Sequence, residues 1–132
     1  MEGKTIEKKD FWSDIKHFDK TEFECKCGCG FNIINEDLVK RLDLARNLAN
    51  VKFVINSGCR CEKYNISKEV GGEIKSSHLK GFAVDIHIST DRDRFLILKS
   101  LLLLGFTRLG VYKNFIHCDI DKTKLNNLIW YK

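Results

Sequence analysis

Ser76-Ser77-His78-Leu79-Lys80-Gly81-Phe82-Ala83-Val84-Asp85-Ile86-His87-Ile88 reads as a loop that runs into a strand. From Ala83 onward, apolar and polar residues alternate. Side chains along a strand flip with period two, so Val84, Ile86 and Ile88 share one face while Ala83, Asp85 and His87 share the other. The apolar face seeks a core. Phe115-Ile116-His117-Cys118-Asp119-Ile120 repeats the pattern, sending Ile116, Cys118 and Ile120 inward and Phe115, His117 and Asp119 to the opposite side. If the two strands pair, Asp85 and His117 project from a common surface. His78, at the end of the loop, closes over it, and Gly81 lets the backbone turn tightly between His78 and Asp85.

Two imidazoles and one carboxylate suit Zn²⁺ and leave a fourth tetrahedral position free for water, the arrangement of hydrolytic rather than scaffolding zinc. His78, Asp85 and His117 are therefore the candidate ligands of one catalytic zinc ion. His87 shares the face of Asp85 and is a candidate fourth ligand or proton carrier, although such a histidine is more often a half-exposed strand residue.

Outward from these strands the pattern turns helical. Asp19-Lys20-Thr21-Glu22 has the form of a capping box and starts a short helical turn before the Gly-rich stretch 28–30. Asn35 caps a helix in which Leu38, Leu42, Ala45 and Ala49 recur at helical spacing, with Glu36 and Asp37 in the first turn. Lys52 to Asn56 reads as a buried strand ended by Ser57-Gly58, and Cys61 to Val70 as a short helix closed by Gly71-Gly72. Thr90 or Asp91 caps a third helix whose buried face is Phe95, Leu98, Leu101 and Leu102, with Gly105 as its stop. The expected architecture is α+β: a small, largely antiparallel sheet flanked by about three helices, with the metal in a groove on the sheet face.

Composition sets the bounds. A chain of 132 residues with 43% hydrophobic content has the size of a single domain, here spanning 1–132. The 23 basic and 18 acidic residues are scattered, and neither cluster nor interleave with exposed aromatics, which argues against nucleic acid as a partner. No run reaches the roughly 18 apolar residues needed to cross a bilayer, so no membrane partner is expected. Met1 to Asp10 is charged and polar without the apolar segment of a secretion signal, so the chain is expected to be made in the cytoplasm and, if it acts outside, to depend on another release route. A monomer is expected.

Six cysteines, Cys25, Cys27, Cys29, Cys59, Cys61 and Cys118, fit reduced thiols in that setting. Cys25-Lys26-Cys27-Gly28-Cys29-Gly30 has C-x-C spacing, tighter than C-x2-C zinc knuckles, and lacks an obvious second half. It reads as buried thiols in a Gly-rich turn in preference to a second metal site.

The stretch Ser76 to Asp85 matches the pattern S-x-H-x-x-G-x-A-x-D and resembles the zinc D-alanyl-D-alanine carboxypeptidases and the related L-alanyl-D-glutamate endopeptidases, most closely their short, phage-associated branch. The likeness extends over His17-Phe18 with Glu22-Phe23, Cys25 to Phe31, Ser57-Gly58-Cys59-Arg60-Cys61, Asn65 with Gly71-Gly72, Gly110-Val111-Tyr112 and Phe115 to Asp119. It implies a fold shared with hedgehog signalling domains, Zn²⁺ on His78, Asp85 and His117, and a peptidoglycan peptide as substrate. It also implies that Arg60 lies in the cleft, binding a peptide carboxylate or steadying the oxyanion, and that Ser76 donates a hydrogen bond near the substrate or the loop.

The chain departs from that pattern near the last ligand. Many relatives carry an acidic general base three positions before it, where this chain has Asn114, and others carry a histidine where this chain has Phe115. An amide cannot take the proton. Asp119, on the face of His117, becomes the candidate base, its competing role being to fix the imidazole tautomer. The expected activity is a zinc metallopeptidase acting on stem peptides or cross-links in cell-wall lysis or remodelling. The alternative is a zinc-containing cell-wall or protein-binding module that has lost turnover.

Overall fold

Alternation along two strands and helical periodicity along two helices build a two-layer α+β arrangement in the computed structural model, which describes residues 10–132. The charged stretch 1–9, where no export segment is expected, lies outside the described residues. The elements run α1 (Glu36–Ala49), β1 (Ile55–Ser57), α2 (Glu62–Asn65), β2 (Ala83–His87), α3 (Asp91–Leu103), β3 (Arg108–Val111), β4 (Phe115–Asp119) and β5 (Leu128–Tyr131). Short 3-10 turns at Phe11–Asp14, Lys20–Phe23 and Ser77–Lys80 complete them.

The sheet order is β1-β2-β4-β3-β5. β2 and β4 pair antiparallel over their full length, with Asp85 opposite His117 and Ile86 opposite Ile116. β1 joins β2, and β3 joins β4, in the same antiparallel sense, whereas β5 runs parallel to β3 and makes the sheet mixed. A register irregularity between Ile55 and Ser57 bends the short edge strand and brings Ser57 opposite Asp85. Of the expected strand 52–56 only Ile55 and Asn56 fall within β1, although the Val54 carbonyl accepts from the His87 N–H of β2 and Phe53 is fully buried.

Val84, Ile86, Ile88, Ile116 and Cys118 enter one core cluster with Leu38, Val39, Leu42, Ala45 and Ala49 of α1 and Ile97 and Leu101 of α3. The face carrying Asp85 and His117 points the other way. α1 begins where its cap demands: the side chain of Asn35 accepts a hydrogen bond from the backbone N–H of Leu38. The capping box Asp19/Glu22 likewise starts the turn at Lys20, and Thr90 caps α3. Gly81, at φ 74°, ends the Ser77–Lys80 turn where a Cβ would meet the carbonyl oxygen of Ile33 at 2.2 Å.

Three expectations are corrected. α3 buries Ile97, Ser100 and Leu101, while Phe95 is 63% and Leu102 47% exposed. Its sequence is apolar on nearly every side, so periodicity leaves the rotation open and packing against α1 sets it. The helix expected over 61–70 closes after Asn65: Ser67 gives both its backbone N–H and its hydroxyl to the Tyr64 carbonyl, and the Gly72 N–H takes the Asn65 carbonyl that a continuing helix would use. Cys27 and Cys29 are exposed rather than buried, and only Cys25 of that turn lies inside. Among the described residues no helix is long and apolar enough to cross a membrane.

Candidate metal centre

β2 and β4 supply two of the three expected ligands as direct cross-strand partners, and the Ser77–Lys80 turn lowers the third onto them. One nitrogen each from His78 and His117 and one oxygen from Asp85 lie within 4.8 Å of one another. His78 Nε2 stands 3.3 Å from Asp85 Oδ1, and His117 Nδ1 stands 3.0 Å from the same oxygen. Ligands on a tetrahedral zinc at its usual bond lengths are spaced by roughly 3.4 Å. The donor set therefore fits zinc in both chemistry and span.

The backbone sets the first imidazole. The Gly58 carbonyl oxygen is 2.7 Å from His78 Nδ1, and since a carbonyl only accepts, Nδ1 donates to it and Nε2 is the nitrogen that faces Asp85. Ser76 accepts a hydrogen bond from the His78 backbone N–H through its hydroxyl, capping the turn that carries this ligand. Ser77 donates to the buried carboxylate of Asp121 at 2.7 Å, tying the turn to the strand end beyond β4.

The second imidazole is gripped from both sides. His117 Nε2 lies 2.8 Å from Asp119 Oδ2, on the opposite edge of the ring from Asp85. Asp119 is itself occupied: its Oδ1 accepts from Arg108 Nε at 2.8 Å and from the backbone N–H of Asp121. Burial works against the charge on His117, but hydrogen bonds to Asp119 and Asp85 outweigh it and lift the imidazole to about 8. Asp85, against its own burial, is held well below the usual carboxylate range by hydrogen bonds from His117 and His78, and Asp119 is lowered by His117 and Arg108.

Arg60 reaches the centre through Asp85. Its Nη2 donates to Asp85 Oδ2 at 3.1 Å, its Nε to Ser57 Oγ at 3.0 Å, and its Nη1 to Asn65 Oδ1 at 3.3 Å. Both charged side chains are nearly buried, at 12% and 10% exposure. Burial pulls the guanidinium down while Asp85 sustains its charge. His87, at the end of β2, is exposed and stands apart from the three-residue cluster.

A cleft of about 490 Å³ opens over this cluster, walled by Arg60, Glu73, Ser76, Arg108, Tyr112 and Trp130. Trp130 packs its ring 5.5 Å from that of His117 and donates its indole N–H to the Tyr112 hydroxyl. β5 makes Trp130 a wall of the cleft. Arg108 carried no spacing signal, since its value lies in a contact with Asp119 that only the β3–β4 pairing creates. The Gly58 carbonyl has no side chain to betray it.

A family model described as peptidase M15 matches residues 16–119, a span that holds both histidines, Asp85, Arg60 and Asp119. The chain belongs to the peptidase M15 family. It is thus a member of a zinc metallopeptidase family, and the hydrolytic chemistry expected from two histidines and an aspartate agrees with that membership. The M15 match ends at Asp119, so β5 and Trp130 complete the cleft from beyond the matched span. Comparison with curated proteins gives no match.

Proposed function

We propose that this M15 chain is a single-domain zinc peptidase that hydrolyses amide bonds in peptidoglycan stem peptides or cross-links. The observation that carries the reading is the convergence of His78, Asp85 and His117 at the floor of an open cleft on the sheet face. Zinc held there would supply a Lewis acid for the scissile carbonyl and water activated near neutral pH. The fold we infer is that shared with D-alanyl-D-alanine peptidases and hedgehog domains, and the motif likeness favours the short, phage-associated branch.

Each protein group has a part in this reading. Gly58 and Asp119 accept from His78 Nδ1 and His117 Nε2, which leaves the other nitrogen of each ring, the one facing Asp85, to bind zinc. Asp119 accordingly positions His117, and its two engaged oxygens weigh against the proton-shuttling role considered for it. Arg60 orients Asp85, and its guanidinium, Arg108 and the ends of Lys124 and Lys132 give the cleft a basic lining suited to the carboxylates of a stem peptide. Ser76 shapes the turn and borders the cleft. Of the carboxylates bordering the cleft, Glu73 makes no side-chain hydrogen bond or ion pair among the described residues, which makes it the group we assign to proton transfer.

Digestion of purified muropeptides followed by mass spectrometry tests the proposal. New amine termini that vanish on chelation and return with zinc are expected. Binding to cell walls with no cleaved bond would instead establish a module that has lost turnover.

A further inference from the structure

In a surface pocket separate from the cleft, the turn expected to hold inert thiols meets a fourth cysteine from another segment. Cys61, at the N-terminus of α2, brings its sulfur 3.8 Å from that of Cys25 and 3.7 Å from that of Cys27, while Cys25 and Cys27 are 3.4 Å apart. Cys29 completes the group, with all four sulfurs within 4.8 Å of one another. From this arrangement we infer that Cys25, Cys27, Cys29 and Cys61 form a second metal site, a tetrathiolate that binds one structural zinc ion.

The spacings decide between chemistries. Four thiolates around zinc at about 2.3 Å stand roughly 3.8 Å apart along the edges of the tetrahedron, close to the 3.4–3.8 Å that separate Cys25, Cys27 and Cys61, with Cys29 within 4.8 Å of each. A disulfide requires about 2.0 Å. An iron–sulfur cluster puts several metal atoms between its cysteines and needs a wider cage than these sulfurs leave. The site closes the coordination sphere with protein sulfur alone, which marks a structural ion rather than a catalytic one.

The surroundings suit a doubly negative tetrathiolate centre. The backbone N–H of Cys61 points to Cys25 Sγ at 3.4 Å, a donor that stabilises thiolate charge. Lys26 and Lys63 line the same surface pocket as Cys27, Cys29 and Cys61. Gly28 and Gly30 adopt φ of 87° and 82°, the left-handed conformations that fold three alternate cysteines toward one point. The other two cysteines are excluded by position: Cys59 accepts from the Ile33 backbone N–H on the far side of Arg60, and Cys118 is in the core.

The site also has a structural task. It ties the loop 25–30 to a residue adjacent to Arg60, across 36 positions of sequence, in a segment where α2 is a single turn. The ion would hold the rim of the cleft without touching the reaction.

Metal analysis of the reduced protein and two sets of variants tests this. Native protein should carry about two zinc ions per chain, His117→Ala about one, and Cys27→Ser/Cys29→Ser about one. Cobalt loaded into the His117→Ala protein should give intense thiolate-to-metal charge-transfer absorption. In that protein, all four thiols should resist alkylation until a strong chelator is added. Retention of one metal by His117→Ala with loss of all metal from the cysteine variant would support the thiol site even if the histidine site proved empty. A metal-free His117→Ala protein whose four thiols alkylate at once, or whose intact mass shows disulfides, would overturn the inference. Should Cys27→Ser/Cys29→Ser fail to fold, the cobalt spectrum and alkylation of His117→Ala decide alone.

Discussion

His117 and Asp119, two residues apart on β4, face each other edge to edge, with Nε2 2.8 Å from Oδ2, while the other ring nitrogen turns to Asp85. Residues at i and i+2 share a strand face, so the sheet itself presents the carboxylate to the imidazole. The result is an imidazole oriented by a carboxylate at each ring nitrogen. Replacing Asp119 with Asn should weaken zinc binding at this centre by roughly 10- to 100-fold, measured by competition with a chromogenic chelator. If Asp119 served instead as the general base, metal affinity would be unchanged and turnover alone would fall.

The same contacts give the metal-free protein a pH signature. His117 is raised from 6.5 to about 8 in the folded state, so its stabilising contribution is complete below about 6.5, fades between 6.5 and 8, and is absent above. A shift of this size corresponds to about 2 kcal/mol. Urea denaturation of the zinc-free protein across this interval should show stability falling as pH rises, and Asp119→Asn should flatten that slope.

Arg60 donates to three acceptors at once, from Ser57, Asn65 and Asp85. An ammonium group cannot reproduce that planar fork. Arg60→Lys should therefore lower kcat/KM about 100-fold while leaving the protein folded, as judged by circular dichroism and zinc content. Arg60→Ala leaves a buried carboxylate short of a partner and should in addition cost about 3 kcal/mol of stability.

Glu73 provides a test of proton transfer. Glu73→Gln should reduce kcat by at least about 100-fold with KM little changed, and remove the acid limb of the pH–rate profile. An unchanged acid limb would point to a different base.

Legibility followed the physics of each signal. Period-two alternation in 83–88 and 115–120 was enough to turn Asp85 and His117 away from the core, because a strand face has only two settings, while the pairing that sets them side by side stayed a condition until the sheet supplied it. The cap at Asn35 was equally readable and that of α3 was narrowed to Thr90 or Asp91, since each side chain acts within three residues of its own position. The face of α3 was not, because Phe95, Ile97, Leu98 and Leu101 offered competing apolar stripes. β5 escaped notice because Leu128 and Ile129 precede two aromatics with no alternation, and its strand exists through pairing with β3. Cys61 as the partner of the turn at 25–29 was hidden by sequence distance: C-x-C spacing on one side and a single cysteine on the other match no common knuckle.

The place where zinc binds is the most direct test of the His78–Asp85–His117 centre. Crystals of the zinc-loaded protein, measured on both sides of the zinc absorption edge, should show an anomalous peak bounded by His78 Nε2, Asp85 and His117 Nδ1, with the imidazoles still bonded to Gly58 and Asp119. Anomalous density at the cysteines alone, with the His78–Asp85–His117 centre empty at saturating zinc, would contradict it.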